Sequence, residues 1–427
     1  MKTLIKNGVV INPSTNTYDR LDVLIENNKI VKIEQNINMN VDTILDANGC
    51  WVTPGLIDVH VHLREPGYEY KETIETGSKS AAKGGFTTIC AMPNTNPAID
   101  TAELVDYIKD KARKDAIVNV LPIGAITLEQ KGNELVNIEK MAKAGVCALS
   151  EDGRSVMNAK LLNDAMERAS KCSIPILSHC EDENLAHKGI MNEGEMSKRL
   201  GVEGIPSESE DIIVSRDIML ANKTGARLHL CHISTQGSVE LLKDAKRKGL
   251  DITAEVCPHH FTLTEEDVTL DNGNTKMNPP LRSKKDVECI KEALQNNVID
   301  IIATDHAPHH IDEKSGDYEK IANGIVGLET AVPLGITELV ETDILTPIEL
   351  IKKMSYNPAK MLGIDKGILE EGKIADITII NPTEEYIINT NEFHSKSNNS
   401  PFHNRKVRGK IKWTIVNGKV RYEDKEI

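Results

Sequence analysis

The sequence predicts an α/β protein: a (β/α)8 TIM-like barrel with a small β-sandwich domain formed by the N- and C-terminal segments. Three observations lead there. The middle of the 427-residue chain alternates short apolar runs with helical stretches, about eight times over roughly 300 residues, which is the arithmetic of such a barrel. Both ends are strand-rich and turn-rich instead. Ionisable residues recur at the ends of the apolar runs, where a barrel places its chemistry. A doubly wound open sheet is the structural rival, but no Gly-x-Gly-x-x-Gly turn follows the first run. We expect residues 1–53 plus 365–427 to form the β domain and residues 54–364 the barrel.

The N-terminal strands are expected at Thr3–Ile11, Asp22–Glu26 and Lys29–Ile33, parted by Asn-rich turns such as Glu26-Asn27-Asn28. Barrel strands are expected near 57–62, 87–92, 119–124, 146–150, 174–179, 227–232, 252–257 and 299–304. Thr101–Lys111, Ala159–Ala169 and Ser238–Lys248 carry helical patterns between them. Near the C-terminus, Ile377–Ile380, Lys410–Val416 and Lys419–Tyr422 read as strands, the last two joined by an Asn417-Gly418 hairpin signal. Residues 390–406 are polar and predict a long surface loop.

Composition narrows the partners. Hydrophobic residues make up 39% and charged residues 27%, as in soluble globular proteins. A formal net charge of −14 argues against nucleic acid or an anionic membrane. No apolar run approaches the roughly 20 residues needed to span a bilayer. Residues Met1–Gly8 lack the apolar stretch and cleavage site of a signal peptide. The eight cysteines (Cys50, Cys90, Cys147, Cys172, Cys180, Cys231, Cys257 and Cys289) form no Cys-x-x-Cys pair. That pattern predicts free thiols in a reducing cytoplasm.

The most informative run is Gly55-Leu56-Ile57-Asp58-Val59-His60-Val61-His62. Residues 57–62 are β-branched and apolar apart from Asp58 and the histidines, so they read as a buried strand. Alternation puts His60 and His62 on one face with Cα atoms roughly 6.6 Å apart, close enough to share a metal ion. Two core histidines are the bland alternative; the continuation Leu63-Arg64-Glu65-Pro66-Gly67 favours the metal. Other runs end in the same way, at Glu151-Asp152-Gly153, Ser178-His179, Cys231-His232 and Thr304-Asp305-His306-Ala307-Pro308-His309. Convergence of His60, His62, His179, His232, Asp152 and Asp305 on one rim is hard to explain as packing. Buried unpaired ionisable groups are costly, and a divalent metal offsets that cost. Alternation turns Cys180 and Cys231 away from their histidine neighbours, and parity places His229 outside the barrel. Glu151 competes with Asp152 as a ligand. His187, His394 and His403 have no metal-like spacing and read as surface. The polar segment 309–324 reads either as an ordinary exposed loop or as a mobile lid over the site.

Longer runs enclose these residues: Pro54 to Gly67, Ala91-Met92-Pro93-Asn94-Thr95, Glu151-Asp152-Gly153, Ser178 to Asp182, and His229 to Ser234. Met277-Asn278-Pro279-Pro280-Leu281-Arg282, Ala303–His310 and Gly324–Ala331 complete the set. Together they resemble a class I dihydroorotase of the amidohydrolase superfamily, over essentially the whole chain. The resemblance implies a zinc-dependent cyclic amidohydrolase that reversibly cyclises N-carbamoyl-L-aspartate to L-dihydroorotate plus water in pyrimidine biosynthesis. It implies two zinc ions, one held by His60, His62, Asp152 and Asp305 and one by Asp152, His179 and His232, bridged by Asp152 and a hydroxide. Asp305 would be the general base and acid. The substrate shell would comprise His62, Leu63, Arg64, Asn94, Asn278, His309, Asn323 and Gly324. Hydantoinase-like and dihydropyrimidinase-like relatives are expected to bridge their metals with a carbamylated lysine, and the strand-four end here offers no Lys. One departure is Ala322-Asn323-Gly324, where the family usually carries Pro-Phe-Gly. A homodimer and an association with aspartate transcarbamoylase stay open.

Overall fold

The computed structural model describes residues 1–425. Eight parallel strands run in chain order: Leu56–Val61, Phe86–Ala91, Asn119–Ala125, Ala148–Ser150, Ile176–Ser178, Leu228–Leu230, Ile252–Val256 and Ile301–Ile302. Each pairs with the next. The His62 N–H donates to the His306 carbonyl at 2.9 Å, and Val61 bridges His306 in parallel. These contacts close the first strand against the segment after the eighth. Ile57, Val59, Cys90, Ile123, Ala148, Leu177, Cys231 and Ile301 share one buried cluster. Residues from so many strands meet only along the barrel axis, so the interior is packed rather than open.

The helices between the strands follow their caps and apolar stripes. In Ala159–Lys171 the Asn158 side chain accepts from the N–H groups of Lys160 and Leu161, and Leu162, Ala165, Met166 and Ala169 are buried. Burial of each large apolar side chain on such a stripe contributes roughly 1.5–3 kcal/mol.

Besides a two-stranded pairing of Met191–Asn192 with Gly204–Ile205, two larger sheets lie outside the barrel. One orders Lys29–Glu34, Asp22–Glu26, Lys2–Lys6 and Thr43–Asp46; the other Lys419–Glu423, Lys406–Val416, Ile377–Ile387, Trp51–Pro54, Val9–Asn12 and Thr17–Arg20. Ile5, Val23, Ile25 and Leu45 from the first and Val10, Val52, Ile377, Ile379 and Ile415 from the second share a buried cluster. The expected continuous strand Thr3–Ile11 is split. Asn7 adopts φ 65°, and a Cβ on Gly8 would lie 2.4 Å from Val52 Cγ2, so the chain bends there and feeds both sheets. Asn417 and Gly418 both have positive φ, as a two-residue hairpin of type I′ requires.

The expectation of a surface loop over 390–406 is corrected. Ser395, Ser397, Asn399, Ser400 and Phe402 are buried. Their polar groups are satisfied inside: Ser395 donates to Glu72, and Ser397 Oγ donates to the Lys71 carbonyl at 2.8 Å. Composition reported polarity, and hydrogen bonding made burial affordable. Among the described residues, no helix is long and apolar enough to cross a membrane.

Candidate active site

Several strand ladders stop short of the expected ends, and the chain turns where its ionisable residues begin. His232 has φ 35° and Asp305 φ 48°, outside the extended region. These turns bring the six expected side chains together. Asp152 Oδ1 lies 3.2 Å from His60 Nε2, 3.6 Å from His179 Nδ1 and 3.8 Å from His232 Nε2. Its Oδ2 lies 3.3 Å from His62 Nε2. Asp305 Oδ1 is 2.9 Å from His62 Nε2 and 3.4 Å from His60 Nε2. His179 Nδ1 and His232 Nε2 approach to 2.9 Å. All six residues are at most 9% exposed.

The donor set fits a metal centre. Ligand atoms around a tetrahedral zinc at 2.0–2.1 Å sit about 3.3 Å apart, close to the spacings here. His60 Nε2 and Asp152 Oδ1 are buried without a hydrogen-bond partner, an arrangement that is costly unless a cation fills the gap. Two triads, His60 with His62 and Asp305, and His60 with Asp152 and His232, have mutually close donor atoms. The electrostatics agree. Burial alone would raise the Asp152 carboxyl, yet His60, His179 and His232 hold it well below the carboxylate range. Asp305 is likewise depressed by His60 and His62 against the effect of burial.

Above these groups lies a cavity of 200 Å³ lined by His62, Arg64, Asn94, Asn278, His309, Asn323 and Gly324, with Asp152, His179, His232 and Asp305 at its floor. Of the expected substrate shell only Leu63 is missing from the wall. Its side chain is in the apolar core, where a Cβ on Gly77 would touch Leu63 Cδ2 at 2.4 Å. Asn94 Oδ1 accepts from His62 Nδ1 at 2.8 Å, which leaves its amide NH2 for a ligand. Asn278 Oδ1 is buried without a partner, an acceptor waiting for an N–H. Arg64 Nε donates to the Pro308 carbonyl at 3.1 Å and Nη2 to His309 Nε2 at 3.3 Å. Burial and the Arg64, Lys71 and Lys314 cations push His309 down to about 3, so its imidazole is neutral at pH 7. The pocket keeps the guanidinium charge for an anion.

The family model described as "Dihydro-orotase-like" matches residues 49–238. The chain is 50% identical over 422 residues to a protein named dihydroorotase from Acetivibrio thermocellus, covering 99% of each. It is 49% identical over 428 residues to one from Pelotomaculum thermopropionicum, covering 100% of each. The chain belongs to the dihydroorotase family. Among solved structures it is similar to the L-hydantoinase (dihydropyrimidinase) of Arthrobacter aurescens, with TM-score 0.90 and 26% identity over 100% of this chain and 97% of that one. It also matches the fold of a D-hydantoinase from a Bacillus sp. AR9, with TM-score 0.87 and 24% identity over 100% of this chain and 96% of that one. This dihydroorotase-family chain therefore shares its frame with hydantoinases.

In this member of the dihydroorotase family, the sequence reading missed one residue behind the centre, Glu255, and misplaced another, His229. His60 Nδ1 meets Glu255 Oε1 at 2.6 Å, and Glu255 Oε2 meets His229 Nε2 at 2.9 Å. His229 Nδ1 in turn meets Thr253 Oγ1 at 2.8 Å. His229 and Glu255 are fully buried inside the barrel, so the placement of His229 outside it is corrected. Strand six ends at Leu230, and parity counted back from His232 crosses a bend where alternation no longer holds. Glu255 had a readable signal: it is the one charge in the strand Ile252–Val256. Glu151 is settled otherwise, accepting from the Ile126 and Thr127 N–H groups at 3.1 and 3.0 Å. It braces the loop after strand three and is turned from the centre.

Proposed function

We propose that the chain is a dihydroorotase, a cyclic amidohydrolase that closes N-carbamoyl-L-aspartate to L-dihydroorotate with loss of water and runs the reverse. The observation that carries the reading is Asp152, whose two carboxylate oxygens face His60, His179 and His232 on one side and His62 on the other. An intrinsic carboxylate stands at the bridging place, so no modified lysine is needed. Two zinc ions are the metals this donor set suits, with His60, His62, Asp152 and Asp305 toward one and Asp152, His179 and His232 toward the other. When bound they would polarise the ring carbonyl and lower the pKa of water. Residues 54–364 are taken as the catalytic unit and 1–53 with 365–427 as its β domain.

The chain's own residues supply the rest. Arg64 grips the substrate carboxylate with two parallel N–H donors, helped by the Asn94 amide, while neutral His309 accepts from Arg64 and orients it. Asn278 accepts from a ring N–H, and the backbone at Asn323 holds the ring amide edge, with Gly324 fixed beside it. Asp305, depressed and therefore unprotonated at pH 7, takes a proton from the attacking water and delivers it to the departing amide nitrogen. Ring closure reverses those transfers.

Hydrolysis of L-dihydroorotate by purified protein, beside hydantoin and dihydrouracil, tests the substrate. Neither alternative carries the carboxylate that Arg64 awaits, so dihydroorotate should be turned over far faster; a preference for hydantoin would overturn the reading. Asp305→Ala should lower kcat by about a thousandfold or more with the fold intact. Wild-type turnover in that variant would remove the proton-transfer role.

A further inference from the structure

Two side chains that do not line the cavity hold one of its walls. The Gly324 carbonyl accepts from Lys314 Nζ at 3.0 Å and from Asn399 Nδ2 at 3.1 Å. Asn399 Nδ2 also donates to the Ala307 carbonyl at 3.1 Å, and its Oδ1 accepts from the His309 N–H at 3.2 Å. The Asn399 carbonyl takes the Val326 N–H at 3.0 Å. Asn399 is 5% exposed, and both ends of its amide are spent on the backbone of residues 307, 309 and 324. Those positions bracket the polar segment 309–324, so one side chain pins both ends of it.

Lys314 works from inside the same segment. Its ammonium donates to the carbonyls of Lys276 at 3.1 Å, Ala322 at 2.7 Å and Gly324 at 3.0 Å. Three acceptors match the three N–H donors of a lysine. Two of them flank Asn323, and the third lies two residues before Asn278. Gly324 has φ 112°, and a Cβ there would meet Ala307 Cβ at 2.6 Å, so the loop packs against the strand-eight end with no slack. His309, Asn323 and Gly324 thus owe their placement to groups outside the cavity.

We propose that Asn399 is a positioning residue for substrate binding, acting with Lys314 through the Gly324 carbonyl to fix the wall made by His309, Asn323 and Gly324. The inference rests on the dihydroorotase reading and deepens it, since it assigns substrate affinity to a residue of the C-terminal segment. Asn399→Asp keeps the acceptor for the His309 N–H and loses both donors. Lys314→Met keeps the length of the side chain and loses all three.

The test compares wild type, both single variants and the double variant. Each single variant should raise KM for L-dihydroorotate about tenfold, the scale of one lost buried hydrogen bond, with kcat within about threefold. The double variant should rise by less than the product of the two, because both side chains serve one carbonyl. In metal-free protein, amide exchange at residues 322–325 should quicken in every variant, a readout independent of turnover. An unchanged KM with unchanged exchange in both single variants would overturn the proposal. So would a fall in kcat and thermal stability with KM untouched, which marks a merely structural role. Should Asn399→Asp fail to fold, Lys314→Met carries the same expectations alone. A wild type inactive on dihydroorotate sinks the function reading; an active wild type with variants like it sinks this one.

Discussion

At the scale of single residues, the chemistry depends on how one carboxylate orients one imidazole. Glu255 is fully buried, and burial would raise its carboxyl, but His60 and His229 hold it down at about 2. An anion on Nδ1 fixes the tautomer that would offer His60 Nε2 to a metal and would make that nitrogen a better donor. Glu255→Gln should therefore lose metal about 10–100-fold more readily, read as metal content after dialysis against a chelator. Equal retention would show that Glu255 only fills space. Arg64→Lys should raise KM sharply while leaving metal content unchanged, because a point charge replaces a planar fork; steady-state kinetics with metal analysis checks both. The candidate ligands were legible because each sits at the end of an apolar run. Glu255 was legible too, as a charge where none belongs. His229 was not, because alternation is a property of a ladder and the ladder had already ended.

At the scale of elements, the segment Ser395–Phe402 shows how far composition misleads. Ser395, Ser397, Asn399 and Ser400 look exposed in sequence and are buried in the fold, and Ser395 and Ser397 bond to Glu72 and Lys71, more than three hundred residues away. Glu72 is the knot: it receives Ser395 Oγ, the Lys396 N–H at 3.2 Å and His306 Nε2 at 3.4 Å. Despite burial, which would raise it, His306, Ser395 and Thr76 keep its carboxyl below the usual range. Glu72→Ala should cost about 3 kcal/mol of stability, the loss expected when one member of a buried polar cluster is removed. Urea denaturation measures it, and a loss under half a kcal/mol would mean the segment is anchored elsewhere. Helices were easier to read, because caps such as Thr101 and Asn158 stand beside regular apolar stripes. Strand ends were harder, since residues such as Asp305 leave the ladder by a backbone turn that no side-chain pattern announces.

At the scale of the whole molecule, the alternation of apolar runs and helical stretches was enough to predict a closed barrel, and the strand-rich ends were enough to predict their shared sheets. What pattern could not show is how the pieces are fastened. Lys353 is 1% exposed and donates to the Ile299 carbonyl at 2.8 Å, joining the last helical stretch to the base of strand eight. Burial pushes its amine down from 10.5 to about 8. Between those values the folded protein has released a proton that the unfolded chain still binds, so this group makes stability rise with pH across that window. The gain is up to about 3 kcal/mol, and it should vanish from the pH dependence of Lys353→Met; parallel curves for the two proteins would contradict it. The pairing of Trp51–Pro54 with Ile377–Ile380 carries a further consequence. During synthesis the strands within residues 2–46 can pair with one another as they emerge, but the edge at Trp51–Pro54 appears long before its partner exists. That edge must stay open until nearly all of the message has been read, so a premature stop codon late in the gene would leave the opening sheet unfinished.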